Sequence, residues 1–412
     1  MLALPTIGPQ IRQYLIVTGN YWAFTLTDGA LRMLVVLHFH NLGYSPLQIA
    51  SLFLFYEFFG VVTNLVGGYL GARTGLNRTM NAGLALQVFA LLMLVVPAQW
   101  LTVLWVMAAQ ALSGIAKDLN KMSAKSAIKL LIPADRQSSL YKWVAILTGS
   151  KNALKGVGFF LGAALLASVG FQGAVLAMAT ALAVVWTVSI FLLRHDLGKA
   201  TAKPKFSELL SKSRAVNVLS AARLFLFGAR DVWFVVALPV YLSAELAWDH
   251  SMVGGFLAIW IIGYGLVQSL APKITGARSG TAPDGRSAFS WAAGLATLPA
   301  LIGLGLISGL SPQVVLVGGL LFFGALFAVN SSLHSYLIVS YAKEDGVSLD
   351  VGFYYMSNAL GRLVGTLLSG WIYQVYGLVM CLWISTGFIA VAATISLALP
   401  KHIARQRKTK TA

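Results

Sequence analysis

Nine lysines and arginines stand inside long apolar stretches of this sequence: Arg32, Lys117, Lys121, Lys125, Lys151, Lys155, Arg223, Arg230 and Arg362. Four acids are embedded in the same way, namely Asp28, Glu57, Asp118 and Asp231. A charge at the centre of a hydrocarbon layer costs at least ~2.5–3.5 kcal/mol on insertion scales, so nine cations do not persist facing lipid. They must face a water-filled cavity, one another's acids, or a ligand. Arginine offers a planar fork that fits oxyanions, and lysine a compact charge for the same ligand. The chemistry implied by this surplus is anion binding.

Spacing sorts the candidates. Lys151 and Arg362 each lie eleven residues into an apolar stretch, near its middle, and Lys155 follows Lys151 by one helical turn on the same face. Arg223 and Arg230 are two turns apart and share a face, while Arg32 lies one turn beyond Asp28. Lys117, Lys121 and Lys125 form a stripe at i, i+4 and i+8, whose last member either snorkels to the interface or joins the others. Asp28 with Arg32, and Asp118 with a neighbouring lysine, are either structural ion pairs or parts of the site. Asp231 neutralises Arg230 or an arginine of another helix. Lys151, Lys155 and Arg362 have no acid on their own helix and are the strongest binding candidates. Glu57, about eleven residues into its stretch, stands alone. It is either a protonatable switch or the partner of one of the lysines. Asn120, Asn152, Asn330, Asn358 and His334 either supply neutral hydrogen bonds in a cavity or bridge helices. Two groups of cations suit a ligand with two anionic groups.

The elements that must position these groups follow from composition. Of 412 residues 58% are hydrophobic and 10% charged, with a mean hydropathy of +0.78, too apolar for a water-facing surface. Apolar stretches long enough to cross a bilayer as helix recur along the chain. They predict an all-α membrane protein with twelve transmembrane helices at about 14–38, 46–70, 79–97, 101–127, 140–166, 171–193, 215–242, 252–272, 288–308, 312–340, 351–375 and 377–399. Twenty-one of the 30 lysines and arginines then fall in the termini and in every second loop, and none in the loops between, so both termini are expected in the cytoplasm. The start, Met1 to Arg12, lacks signal-peptide anatomy, so the first span is expected to be retained. A net charge of +17 is thereby assigned to membrane orientation, not to nucleic acid. The single cysteine, Cys381, rules out disulfides and thiolate metal clusters and reads as a packing residue.

The basic loop 194–214 divides the chain into a six-helix bundle, 1–193, and a second, 215–400, with a basic tail at 401–412. Within the loop, Lys203-Pro204-Lys205-Phe206 followed by Ser207-Glu208-Leu209-Leu210 predicts a short surface helix. The halves repeat each other. Gly71-Ala72-Arg73-Thr74-Gly75 recurs as Gly276-Ala277-Arg278-Ser279-Gly280, Asn152-Ala153-Leu154 as Asn358-Ala359-Leu360, and Gly114 with Asn120 as Gly324 with Asn330. Three matches at nearly one offset make a tandem repeat, an arrangement that resembles the major facilitator fold. Gly68, Arg73, Gly75 and Arg78 resemble that fold's loop signature, but its acidic position holds Ala72. The usual charge-relay latch is therefore not expected.

Four charged runs are more specific than the fold: Asn20 to Arg32, Ser113 to Lys125, Thr148 to Gly156 and Phe227 to Phe234. In them the chain resembles the organoarsenical efflux permease family ArsJ over nearly its whole length. The resemblance implies a bacterial inner-membrane exporter of 1-arseno-3-phosphoglycerate, a product of glyceraldehyde-3-phosphate dehydrogenase acting on arsenate, and it makes that enzyme a functional partner. A cargo with two oxyanion ends agrees with two cationic groups. Three other classes stay in view: a carrier of another organic phosphate, a proton-coupled drug or sugar exporter, and a non-transporting receptor. No nucleotide loop, metal-ligand cluster or nucleophile constellation is present in the sequence, so neither an enzyme nor a cofactor is expected.

Overall fold

The computed structural model of the chain describes residues 9–44, 48–49, 52–133, 136–193, 197–201, 212–276 and 282–401. The expected surface helix at 203–210, most of the Gly276–Gly280 match and the tail beyond Lys401 lie outside them. Among the described residues the structure is helical and contains no strand. The helices are α1 (Pro9–Asn41), α2 (Leu54–Thr74), α3 (Leu76–Met93), α4 (Val103–Leu131), α5 (Gln137–Leu192), α6 (Arg214–Phe234), α7 (Ala237–Ala244), α8 (His250–Ile274), α9 (Gly285–Ile307), α10 (Pro312–Tyr341) and α11 (Val347–Ser396). Local chemistry sets several starts. Thr102, Ser213 and Asp249 cap α4, α6 and α8 by accepting a backbone N–H, and Asp284 with Ser287 forms a capping box on α9.

Six segments are long and apolar enough to cross a membrane by length and composition. Two of them are too long to cross once. Straight, the 56 residues of α5 would reach about 84 Å against about 30 Å of hydrocarbon. Each breaks at a glycine, α5 at Gly170 (φ 70°, ψ −179°) and α11 at Gly377 (φ 75°, ψ −177°), a conformation that side chains with a Cβ avoid. The breaks separate the expected fifth span from the sixth and the eleventh from the twelfth, and α6 with α7 forms one further segment. Counting both arms of α5 and α11, the twelve expected spans are accounted for.

Two apolar cores fill the molecule. One core holds α1 to α5 and extends onto α10 and α11 through Leu333, Tyr336, Val347 and Tyr354. The other fills the far part of the second half, around Trp233, Phe323 and Phe327. The first core joins the halves at the end carrying Arg73, Lys129 and Lys273 in the last turns of α2, α4 and α8.

Candidate functional site

Close helix crossings place the central charges. On α5, a Cβ at Gly158 would lie 2.7 Å from the Leu26 carbonyl of α1, and one at Gly162 would collide with the Ala30 carbonyl. On α11, a Cβ at Gly361 would collide with the Leu224 carbonyl of α6, and one at Gly365 would lie 2.6 Å from the Gly228 carbonyl. The second pair of glycines follows the first by 203 residues, so the repeat is visible in packing as well as in sequence. In each half the first helix and the fifth are pressed backbone to backbone, and their polar side chains meet just beside the crossing.

The charges there pair in the same symmetric way. In the first half, Lys155 Nζ of α5 is 3.6 Å from Asp28 Oδ2 of α1. In the second, Arg362 Nε of α11 donates to Asp231 Oδ2 of α6 at 3.0 Å. Asp28 also accepts from the Tyr56 hydroxyl at 2.7 Å, and Asp231 from Arg230 at 2.5 Å. Asp231 is fully buried, so its two guanidinium partners supply what water would. The expected Asp28–Arg32 pair does not form. Arg32 instead reaches Glu57 Oε1 at 3.1 Å, and the same oxygen is 3.4 Å from Arg362 Nη2. Glu57 therefore does not stand alone and does not take a lysine as its partner. It lies in the first turn of α2, not eleven residues in, and joins an arginine from each half. Arg32, Glu57 and Arg362 remain about one-third exposed.

Five cations are thus matched by four acids, with Lys121 held by Asp118 at 2.6 Å. Among the described residues, Lys117, Lys125, Lys151 and Arg223 have no carboxylate within ion-pairing distance. Aromatic faces and amides stand in. Lys117 Nζ sits 3.8 Å over the Tyr56 ring, and the Arg223 guanidinium 3.7 Å over Phe227. Arg223 also donates to Asn358 Oδ1 at 2.8 Å. Lys151 makes a 3.3 Å contact with Asn152 Oδ1 and lies within electrostatic range of Lys155, Lys121, Asp28 and Lys117. Lys125 does not snorkel. It is buried, donates to Thr148 Oγ1 and lies 5.4 Å from the Tyr355 ring centre.

Some expected site residues act within the scaffold. Asn120 bonds the Ala116 carbonyl of its own helix, and Asn330 ties α10 to the Trp291 carbonyl of α9. Asn152 donates to Gln268 of α8 at 2.6 Å, and Gln268 donates to Ser331 of α10. His334 is buried with no hydrogen-bond partner at either ring nitrogen. Tyr56, Tyr355, Phe227 and Gln268 were not read from the sequence. They carry no charge, and only the packing turns the three rings towards the cations and sets Gln268 between Asn152 and Ser331.

The basic end is shut. Across it Lys129 Nζ donates to the Ser340 carbonyl at 2.9 Å, and Gln137 Oε1 accepts from Tyr336 and Ser340. Ser348 of α11 donates to the Gly68 carbonyl of α2 at 2.8 Å, and a Cβ at Gly68 would lie 2.5 Å from the Ser348 carbonyl. The repeat supplies the second crossing, where a Cβ at Gly265 of α8 would lie 2.6 Å from the Gly149 carbonyl of α5. The loop after α2 is fastened by backbone hydrogen bonds, with Ala200 N donating to the Ala72 carbonyl and Leu76 N to the Leu197 carbonyl, and by the Thr79 hydroxyl, which donates to the Gly75 carbonyl. Glu57, in the first turn of α2, lies at the other end of that helix from Arg73 and so away from the closed end.

Two six-helix halves that meet around a central charged space, closed at one end, form a transporter architecture. Residues 15–345 match the Major Facilitator Superfamily. The chain belongs to this superfamily. Solved facilitators superpose on it along nearly its full length. The human organic anion transporter MFSD10 (TETRAN) does so with a TM-score of 0.76 at 16% identity, covering 95% of this chain and 100% of its own. The proton:xylose symporter XylE gives 0.73 at 14%, covering 94% and 95%. The Escherichia coli fucose:proton symporter FucP gives 0.74 at 12%, covering 95% and 99%. No curated protein sequence matches this facilitator. At these identities the neighbours share its fold, and its cargo must be argued from its own charges.

Proposed function

We propose that this facilitator exports an organic oxyanion with two anionic ends, 1-arseno-3-phosphoglycerate in the reading its charged runs favour. The observation that carries the proposal is the surplus of cations in the space between the halves. Among the described residues four have no carboxylate partner, and Arg32 and Arg362 approach one another from opposite halves through a single shared Glu57 oxygen. A neutral sugar or a lipophilic cation has no use for such a surplus. Arg32, Lys117, Lys121, Lys151, Lys155, Arg223, Arg230 and Arg362 are the proposed binding cations, with Asn152 beside Lys151. Asp28, Glu57, Asp118 and Asp231 hold these cations in place when the site is empty.

The proposed mechanism is alternating access. The halves rock about the central charges, and the basic end, taken as cytoplasmic, opens to admit the anion. A membrane potential negative inside then favours anion exit by ~2.3 kcal/mol per charge per 100 mV. Glyceraldehyde-3-phosphate dehydrogenase is the proposed source of the cargo, and a bacterial inner membrane the proposed location. Everted vesicles carrying the protein should accumulate arsenate-derived label only when the dehydrogenase, its substrate, NAD and arsenate are all present. Uptake of free arsenate alone would refute the assignment. Competition by 3-phosphoglycerate but not by inorganic phosphate separates it from a phosphate carrier.

A further inference from the structure

Glu57 differs from the other embedded acids in three ways. Asp28 and Asp231 are buried and satisfied within their own half, by Lys155 and Tyr56 in one case and by Arg230 and Arg362 in the other. Asp118 pairs with Lys121 on its own helix. Glu57 alone among these four takes one partner from each half, Arg32 of α1 and Arg362 of α11. It is also the only one of the four with substantial exposure, 34% of its side chain, so an incoming solute can reach and displace it. Finally, it has no counterpart in the second half. The Asp28–Lys155 and Asp231–Arg362 pairs are related by the repeat, offset by 203 and 207 residues, and Glu57 lies outside that symmetry.

The surroundings define what Glu57 holds in check. Arg32 from α1, Lys117 from α4, Lys155 from α5 and Arg362 from α11 all act on its carboxylate. The first and last also act on each other. Without Glu57, Arg32 would have no ion-pairing carboxylate among the described residues and would face Arg362, which keeps Asp231, across the seam where the halves must close. An exporter reaches that state on every cycle, after the cargo has left and before the empty protein turns back.

We infer that Glu57 is a built-in surrogate for the cargo's anionic group: it bridges Arg32 and Arg362 in the empty protein, yields them to the cargo, and allows the empty protein to return. The inference rests on the oxyanion reading above and adds the rule by which the site is emptied. Binding puts the cargo's anion on the same two forks in place of the carboxylate, so Arg32 and Arg362 are bridged by a negative group in the loaded and the empty protein alike. Like-charge repulsion at that seam is then avoided on both legs of the cycle.

The test compares Glu57→Gln, Glu57→Asp and the unsubstituted protein in proteoliposomes, with 3-phosphoglycerate as the stable probe. Glu57→Gln removes the competitor, so probe binding should tighten by about tenfold or more. The empty protein should then fail to return. Net flux into probe-free medium should fall much further than exchange against probe on both sides, raising the exchange-to-net ratio about tenfold or more. Glu57→Asp should restore net flux in part. Unchanged or weaker binding in Glu57→Gln, or equal loss of exchange and net flux, would overturn the inference and leave Glu57 a structural tie. Failure of the unsubstituted protein to bind or move the probe, with glycerol 3-phosphate equally inert, would overturn the oxyanion reading itself and this inference with it. Retained binding in Glu57→Gln also shows that the variant folds.

Discussion

Replacing Gly68 by alanine is expected to push the protein towards the conformation in which the basic end is open. The added Cβ would stand 2.5 Å from the Ser348 carbonyl oxygen and 3.1 Å from Gly352 Cα, both backbone atoms of α11. Ordinary contact begins near 3.4 Å, so α2 and α11 must part by roughly 1 Å at this crossing, and such overpacking costs ~1–3 kcal/mol. The Ser348 hydroxyl would also lose its 2.8 Å bond to the Gly68 carbonyl, worth ~0.5–1.5 kcal/mol. Both penalties fall only on the closed state, since α2 and α11 separate when this end opens. Their sum, a bias of ~1.5–4.5 kcal/mol, shifts the two-state ratio by roughly 10- to 2,000-fold. The assay uses Cys381→Ser with Ser335→Cys, a position fully buried near the closed end, and measures its labelling rate by a thiol reagent. Labelling should accelerate within that range in Gly68→Ala. It should not change in Gly370→Ala on α11, where an added Cβ meets nothing within 4 Å. Equal rates for the two alanine variants would refute the claim that the α2–α11 crossing sets the closure of this end.

Other outcomes follow from the charge map. Arg362→Gln should abolish probe binding and lower thermal stability, because breaking a buried pair at fully buried Asp231 costs ~3–5 kcal/mol, reduced here by the remaining Arg230. Adding Glu57→Gln to it should recover part of the melting temperature and none of the binding, a double-mutant cycle read by calorimetry. Lys151→Gln should leave protein levels and melting temperature near the parent, since Lys151 has no carboxylate partner, while weakening probe binding about tenfold or more by equilibrium titration. Lys125→Met should raise the melting temperature by removing a buried cation without a counter-charge, and a fall instead would show that its bond to Thr148 outweighs its desolvation.

Much of this protein is local and was therefore readable from the sequence. Span positions follow from apolar length, and the basic end from loop charge. The repeat follows from matched residues such as Asn152 and Asn358, and the glycine breaks at 170 and 377 fall at the junctions between expected spans. The identity of the nine embedded cations was equally plain, because a charge in an apolar stretch is conspicuous without any partner. Pairing was not. Glu57 and Arg362 are 305 residues apart, and Asp28 chose Lys155 over Arg32, its neighbour one turn away. Lys125, at the end of a lysine stripe, turned inward to Thr148 and Tyr355. Helical periodicity fixes which residues share a face, but the direction of that face is set by how helices cross. In this protein the crossings are set by glycines that bring α1 against α5, α6 against α11 and α2 against α11. Residue types and spacing are enough to show that positive charge is embedded in excess; the helix crossings, which no local pattern encodes, set which cations find a carboxylate and bring one carboxylate across the seam between the halves.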